Sequence, residues 1–211
     1  MELSKKYGKV AVVMGGKTTE REVSLMSGSA ILKSLLKSGV DAFSFDPSLE
    51  PLANLVNYGC ERAILIIHGK NGEDGKLQGA MEYLGIPYTG SGVMASSIGM
   101  DKYRTKLIWQ TLGVPVAKSQ FVEKANYNIA EFKLEVNLPV VVKPADDGST
   151  LGLKKVYQIE DLAAAIDYAF AASNKILIEE MVIGPEFTLT IIDGKVFPII
   201  KIEAPQGEYD F

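Results

Sequence analysis

The chain has 211 residues, 47% of them hydrophobic and 23% charged, which is enough for one large domain or two smaller ones around a real core and too apolar for a disordered polymer. A net charge of −4 with no basic block argues against nucleic acid as a partner, and the single Cys60 excludes an internal disulfide or a multi-cysteine metal site and suits a reducing compartment. No apolar run approaches the roughly 18 residues of a membrane span, and the short run after the N-terminal lysines reads as a first strand rather than a secretory leader, so a cytoplasmic protein is expected.

In chain order, residues 10–14 (VAVVM) form a short β-branched strand that ends in a double glycine. Residues 23–38 carry Leu25, Gly28, Leu32, Leu35 and Leu36 at helical spacing, and Gly39 ends that helix. Residues 41–45 read as a second strand, 49–58 as a short helix, 63–67 (AILII) as a third strand and 76–84 as a helix, with Tyr88 opening a fourth strand. Apolar strands alternating with helices predict a parallel sheet covered on both faces. The rhythm changes near Met100. Residues 101–112 and 161–172 are helical, whereas 140–143, 153–156, 175–180, 187–192 and 196–202 read as strands, some joined by tight turns such as Asp193-Gly194. The second part is therefore expected to be α+β and largely antiparallel.

Four stretches carry chemistry, each with an ordinary reading beside it. In MGGKTTEREVS (14–24), Gly16-Lys17-Thr18 looks like the tail of a phosphate-binding loop, but that motif needs a glycine where Ala11 stands, and the dinucleotide glycine pattern fails too. Glu20 and Glu22 either complement a helix dipole or bind an ammonium group. HGKNGEDGKLQG (68–79) follows a buried strand and holds the only histidine. It is a polar turn, or it sets His68 and Glu73 against a ligand at the carboxyl end of the sheet.

VVKPADDGSTLG (141–152) is longer than a tight hairpin loop, and its lysine, glycines and hydroxyls are the parts of a flap over phosphates. LIEEMVIGPEFTL (177–189) is a strand edge with solvated acids, or a hinge beside a flat pocket where an acid takes hydrogen bonds from an amine or sugar hydroxyls and backbone groups read a purine edge. In MASSIGMDKYRTK (94–106), Lys102 is a solvated helix charge or a further cation for the same anion.

In this order the motifs resemble those of the D-alanine–D-alanine ligase family of the ATP-grasp superfamily. The resemblance rests on Gly15-Gly16 with Glu20-Arg21-Glu22-Val23-Ser24, on His68-Gly69 through Gly72-Glu73-Asp74-Gly75, and on Tyr88-Thr89-Gly90-Ser91-Gly92. It continues in Met100-Asp101-Lys102, Val142-Lys143-Pro144, Gly148-Ser149 and Gly184-Pro185-Glu186-Phe187-Thr188. It implies an α/β chain with an N-terminal parallel-sheet domain at 1–100, a central ATP-grasp subdomain at 101–184 and the start of a C-terminal one at 185–211.

The implied reaction phosphorylates the carboxylate of one D-alanine from ATP, after which the amine of a second attacks the acyl phosphate, for peptidoglycan synthesis. Lys102 and Lys143 are then expected to hold phosphates, with Ser149 and Thr150 on the flap closing over them. Glu179, Glu180, Met181 and Val182 would meet adenine, and Glu186 the ribose. Glu22 would bind the ammonium of the first D-alanine, with Ser149 oriented toward it, and His68 and Glu73 would lie near the carboxylate.

Two departures stand out. Glu180 and Thr150 occupy positions where lysine and a second serine are frequent. The chain stops at Glu208-Tyr209-Asp210-Phe211, before the ligands for Mg²⁺ or Mn²⁺ are expected, so no metal ligands are assigned within it and a fragment of a longer enzyme is expected. The resemblance also implies a homodimer and no nucleic-acid or membrane partner. Two rivals remain: another ATP-grasp carboxylate–amine ligase, or an inactive nucleotide-binding fragment.

Overall fold

A computed structural model describes residues 3–146, 148 and 152–203. The chain opens with a short helix, α1 (Leu3–Tyr7), and then β1 (Val10–Val13), α2 (Arg21–Lys37), β2 (Ala42–Phe45), α3 (Asn54–Asn57), β3 (Arg62–Leu65) and α4 (Lys76–Tyr83). The three strands form a parallel sheet in the order β2-β1-β3. Central β1 is buried along its whole length, which explains its unbroken apolar run, since both faces are covered. Its core gathers Val13, Phe45, Leu55, Leu77 and Met81 from every layer. The expected fourth strand is a single parallel bridge, Ala63 to Tyr88.

Helices α5 (Val93–Met100) and α6 (Lys102–Thr111) follow, and the Asp101 side chain caps α6 by accepting the Arg104 amide at 2.9 Å. Next come β4 (Ser119–Glu123), β5 (Val140–Pro144), β6 (Lys154–Val156), α7 (Leu162–Ala172) and β7 (Lys175–Glu180). These strands build an antiparallel sheet in the order β4-β7-β5-β6. Helix α7 covers one face and packs on Val140, Val142, Ile176 and Ile178.

The last elements are β8 (Glu186–Thr188), β9 (Ile191–Ile192), β10 (Lys195–Val196) and β11 (Ile200–Ile202), with β9 paired to β10 and β8 to β11. Asp193 and Gly194 turn the inner pair with φ of 50° and 73°, the left-handed pair that a two-residue hairpin needs.

The expected elements are corrected at several places. The strands at 187–192 and 196–202 are each two strands, because pairing lapses between the inner and outer ladders. Strand β4 and helices α1 and α5 have no counterpart in the sequence reading. Helix α3 covers only part of 49–58. On α2, Leu36 is exposed while Ser24 and Gly28 are the buried positions, so the helix docks through its small residues.

Candidate active site

Strand β1 runs into Gly15 and Gly16, both with φ near 80° (85° and 79°), and three side chains hold this turn. Ser24, fully buried on α2, accepts the Gly15 amide at 2.8 Å and donates to the Ile66 carbonyl at 2.5 Å, which ties the turn to the end of β3 two residues before His68. Asp46 accepts the Gly16 amide at 3.1 Å and the Ser48 amide at 2.9 Å. Arg21 closes the ring, with Nη1 on the Gly16 carbonyl at 2.7 Å and Nη2 against Asp46 Oδ2 at 2.7 Å.

Burial would raise the Asp46 carboxyl, but Arg21, Ser48 and the Gly16 amide outweigh it and hold the group well below the usual carboxylate range. A depressed folded-state value stabilises the protein at neutral pH, and that stabilisation is lost as pH falls below the ordinary carboxylate range. Asp46→Asn is therefore expected to lower the melting temperature at pH 7 by about 5 °C, for a loss of about 2 kcal/mol. The gap to the wild type should narrow by about pH 3, in calorimetric scans at the two pH values. An equal gap at both would contradict the assigned ion pair.

The His68 loop lies beside this turn. Thr18 Oγ1 donates to the His68 carbonyl at 3.3 Å. Glu73 reaches back to accept the Gly69 amide at 2.9 Å, with its other oxygen 3.8 Å from His68 Nδ1, beyond hydrogen-bond range. His68 Nε2 is buried and has no hydrogen-bond partner among the described residues. Gly72 cannot carry a side chain here, because a Cβ would stand 2.2 Å from the Ile67 carbonyl oxygen. Gln78 fixes its carbonyl from behind at 2.8 Å.

Of the two glutamates at the start of α2, Glu20 lies toward this loop and Glu22 on the exposed first turn of the helix. A Cβ on Gly69 would come within 2.5 Å of Glu20 Oε2, so the Glu20 carboxylate lies directly against the loop. It makes no capping bond to α2. Glu22 is exposed on the first turn of α2 beside Arg21, where it complements the helix dipole. Glu20 precedes α2 with a backbone that is not helical, whereas Glu22 lies within its first turn, so the two side chains leave the chain in different settings. Glu20, Thr18, Lys70 and Asn71 line a cleft of about 540 Å³ whose far wall is Gly152 and the end of α7.

That far wall belongs to the central sheet. Lys143 stands near the end of β5, and Ala145 follows with its amide on Lys175 O (2.9 Å) and its carbonyl accepting the Lys102 amide at 2.9 Å. The start of α6, with Lys102, is thereby pinned to the base of the loop after β5. Asp146 accepts from Ser173 Oγ at 2.5 Å. Ser149 and Thr150 lie outside the described residues.

Glu179 on β7 is held by Lys143 at 3.1 Å and by Lys106 at 2.8 Å, a residue that the sequence reading did not single out. Glu180 is not brought to this group, since strand alternation sends its side chain to the opposite face. The Met181 amide bonds the Pro139 carbonyl at 2.9 Å, and Val182 is exposed on the linker to β8, which Glu186 begins. Among the described residues no group of three or more His, Cys, Asp or Glu side chains is placed to hold a metal ion, and no helix is long and apolar enough to cross a membrane.

A parallel α/β part joined to an antiparallel sheet, with lysines at the root of a loop after β5, is the architecture of an ATP-grasp ligase. The fold matches the D-alanine–D-alanine ligase of Bacillus anthracis complexed with ATP at a TM-score of 0.81 and 33% identity, over 95% of this chain and 67% of that one. It also matches the VanG D-Ala:D-Ser ligase of Enterococcus faecalis at 0.78 and 28% identity, over 94% and 71%. The family models "D-ala D-ala ligase N-terminus" and "D-ala D-ala ligase C-terminus" match residues 52–91 and 108–211. The D-alanine–D-alanine ligase of Acinetobacter baylyi is 46% identical across all of this chain and 68% of its own length. The chain belongs to the D-alanine–D-alanine ligase family, and it spans about two thirds (66–68%) of the length of the curated relatives it matches.

Proposed function

We propose that this chain carries the D-alanine-binding and phosphate-binding groups of an enzyme that joins two D-alanine molecules with consumption of ATP, supplying the dipeptide for peptidoglycan in the cytoplasm, where ATP is at hand. The observation that carries the reading is the pinning of Lys102 to Ala145, which brings a helix N-terminus and two lysines together at the root of one loop.

A carboxylate is a poor electrophile because its leaving group would be an oxide. Transfer of the γ-phosphoryl group converts it to an acyl phosphate, and the amine of the second D-alanine displaces phosphate. The protein's share is positioning and charge stabilisation. Lys102 and Lys143 neutralise phosphate oxygens, and the 145–152 loop, with Ser149 and Thr150, covers them against water. Glu20 receives the ammonium of the first D-alanine. His68, with a proton on Nε2, donates to its carboxylate, and Glu73 fixes the loop that aims the ring. Glu179 and the linker 181–185 meet the base, and Glu186 the ribose.

The divalent cation that such phosphoryl transfer calls for, Mg²⁺ by preference, finds no ligand set among the described residues. Glu179 is held by two lysines and Asp146 by Ser173, so these two acids do not make up such a set. On this reading residues 1–100, 101–184 and 185–211 are the three working parts, and the exposed Tyr83 and Met94 of the first suit its use in a homodimer.

The test is product analysis. The full-length protein incubated with ATP, Mg²⁺ and D-alanine is expected to release ADP and form D-alanyl-D-alanine. A mixed D-alanyl-D-serine product is the second reading, favoured by the likeness to the Enterococcus faecalis ligase. Nucleotide binding without turnover, or turnover that needs a different acid, would overturn the assignment.

A further inference from the structure

Lysine is seldom buried without a reason. Taken over the whole residue Lys106 is 9% exposed, and it is the only charged residue that is buried among the described residues. Its place follows from the strand register. On the face of the central sheet away from α7, Phe121, Leu177 and Lys143 stand in one row, and Ser119, Glu179 and Val141 in the next. Helix α6 lies across this face. Tyr103 stacks on Phe121 with ring centroids 4.1 Å apart and planes 11° from parallel, and one turn later Lys106 reaches Glu179 Oε2 at 2.8 Å. Lys143 takes the other oxygen, Oε1, at 3.1 Å. The Lys106, Lys143 and Glu179 side chains are 11%, 22% and 17% exposed, so two cations share one carboxylate in a poorly solvated place.

We propose that Lys106 is a positioning residue for nucleotide binding: it holds Glu179 in place while Lys143 turns from Glu179 to the phosphates. The proposal rests on the ligase reading above, in which Lys143 serves phosphate and Glu179 meets the base, and it takes that contact to be a hydrogen bond accepted from the exocyclic amine of adenine. With Lys143 as its sole cation, Glu179 would either hold that lysine back or be left as a shielded carboxylate without a counter-charge when the nucleotide recruits it. The second lysine removes that conflict. Glu179 keeps one ion pair throughout, and its free lone pairs stay aimed at the base.

The experiment measures steady-state kinetics of Lys106→Met, close in length and shape but neutral, and of Lys106→Arg. Lys106→Met is expected to raise the KM for ATP about tenfold, the scale of one charge-assisted hydrogen bond, with kcat within about twofold and the KM for D-alanine unchanged. The preference for ATP over inosine triphosphate, which lacks the exocyclic amine, should fall with it. Lys106→Arg should restore most of both, because it keeps the charge.

In a Glu179→Gln background, Lys106→Met should add little to the ATP KM, since the effect runs through that carboxylate. Should Lys106→Met fail to fold, Lys106→Gln, which keeps a donor without the charge, is expected to show the same ATP-selective rise. An ATP KM within twofold of wild type, equal rises for ATP and D-alanine, or unchanged discrimination against inosine triphosphate would overturn the proposal while leaving an active wild type, and so the ligase reading, intact. A wild type that forms no dipeptide overturns both.

Discussion

Lys143→Met is expected to lower kcat/KM for ATP by two to three orders of magnitude while leaving the fold intact. Lys143 sits one residue before the end of β5, paired across to Leu177, so its backbone is fixed by the sheet rather than by the loop that follows. Its ammonium is pre-placed beside Glu179, two residues before the Ala145 carbonyl that anchors Lys102. Only the side chain has to turn from Glu179 to the nucleotide, and once there it meets the negative charge that develops on a transferring phosphoryl group; loss of one such placed group costs about 10²–10³ in rate.

The structural cost should be small. Val140 and Val142, the neighbours that build the core against α7, point the other way, and Lys106 keeps Glu179 paired when Lys143 is gone. ADP release measured against ATP concentration, with a thermal melt as control, decides the matter. Turnover within a few-fold of wild type would remove Lys143 from the phosphate site. A melting temperature that collapsed together with activity would make its role structural.

The two glutamates of the EREVS stretch show where the sequence stopped informing. Apolar runs translate directly into strands when both faces are covered, so residues 10–13 and 175–180 were legible, as was the hairpin at Asp193-Gly194, whose backbone demands are written in its residues. Strand β4 was not: SQFVE alternates too briefly to declare itself, and it is a strand because β7 is there to pair with it. The same holds for the site. The glycines, His68 and Lys143 stood out by type and by their place after a strand. Lys106 did not, because a lysine within an amphipathic helix reads as a solvated charge, and only the docking of α6, 73 residues away from Glu179 in sequence, buries it. Asp46 reaches the Gly16 amide across 30 residues, a link that exists only once β1 and β2 lie side by side.

Glu20→Gln is expected to raise the KM for D-alanine about 10–100-fold, the measure of one charge-assisted hydrogen bond to a shielded ammonium, whereas Glu22→Gln should change it less than twofold. Both changes remove one charge and keep the shape, and they differ only in direction from the helix. Glu20 precedes α2 and lies against Gly69, on the wall of the cleft that also holds Thr18, Lys70 and Gly152. Glu22 faces solvent on the first turn, where its loss removes a dipole interaction of about 0.3–1 kcal/mol and should appear only as a slightly lower melting temperature. The KM for ATP should stay near wild type in both variants, since the lysines assigned to phosphate lie on β5 and at the start of α6, and that separates a lost ammonium contact from a general distortion of the cleft. His68→Ala should follow Glu20→Gln in raising the D-alanine KM, because the two groups hold opposite ends of the same amino acid. If Glu22→Gln proved the damaging change and Glu20→Gln the silent one, α2 would have to start a turn away from where it does, and the placement of the substrate between Glu20 and His68 would fall.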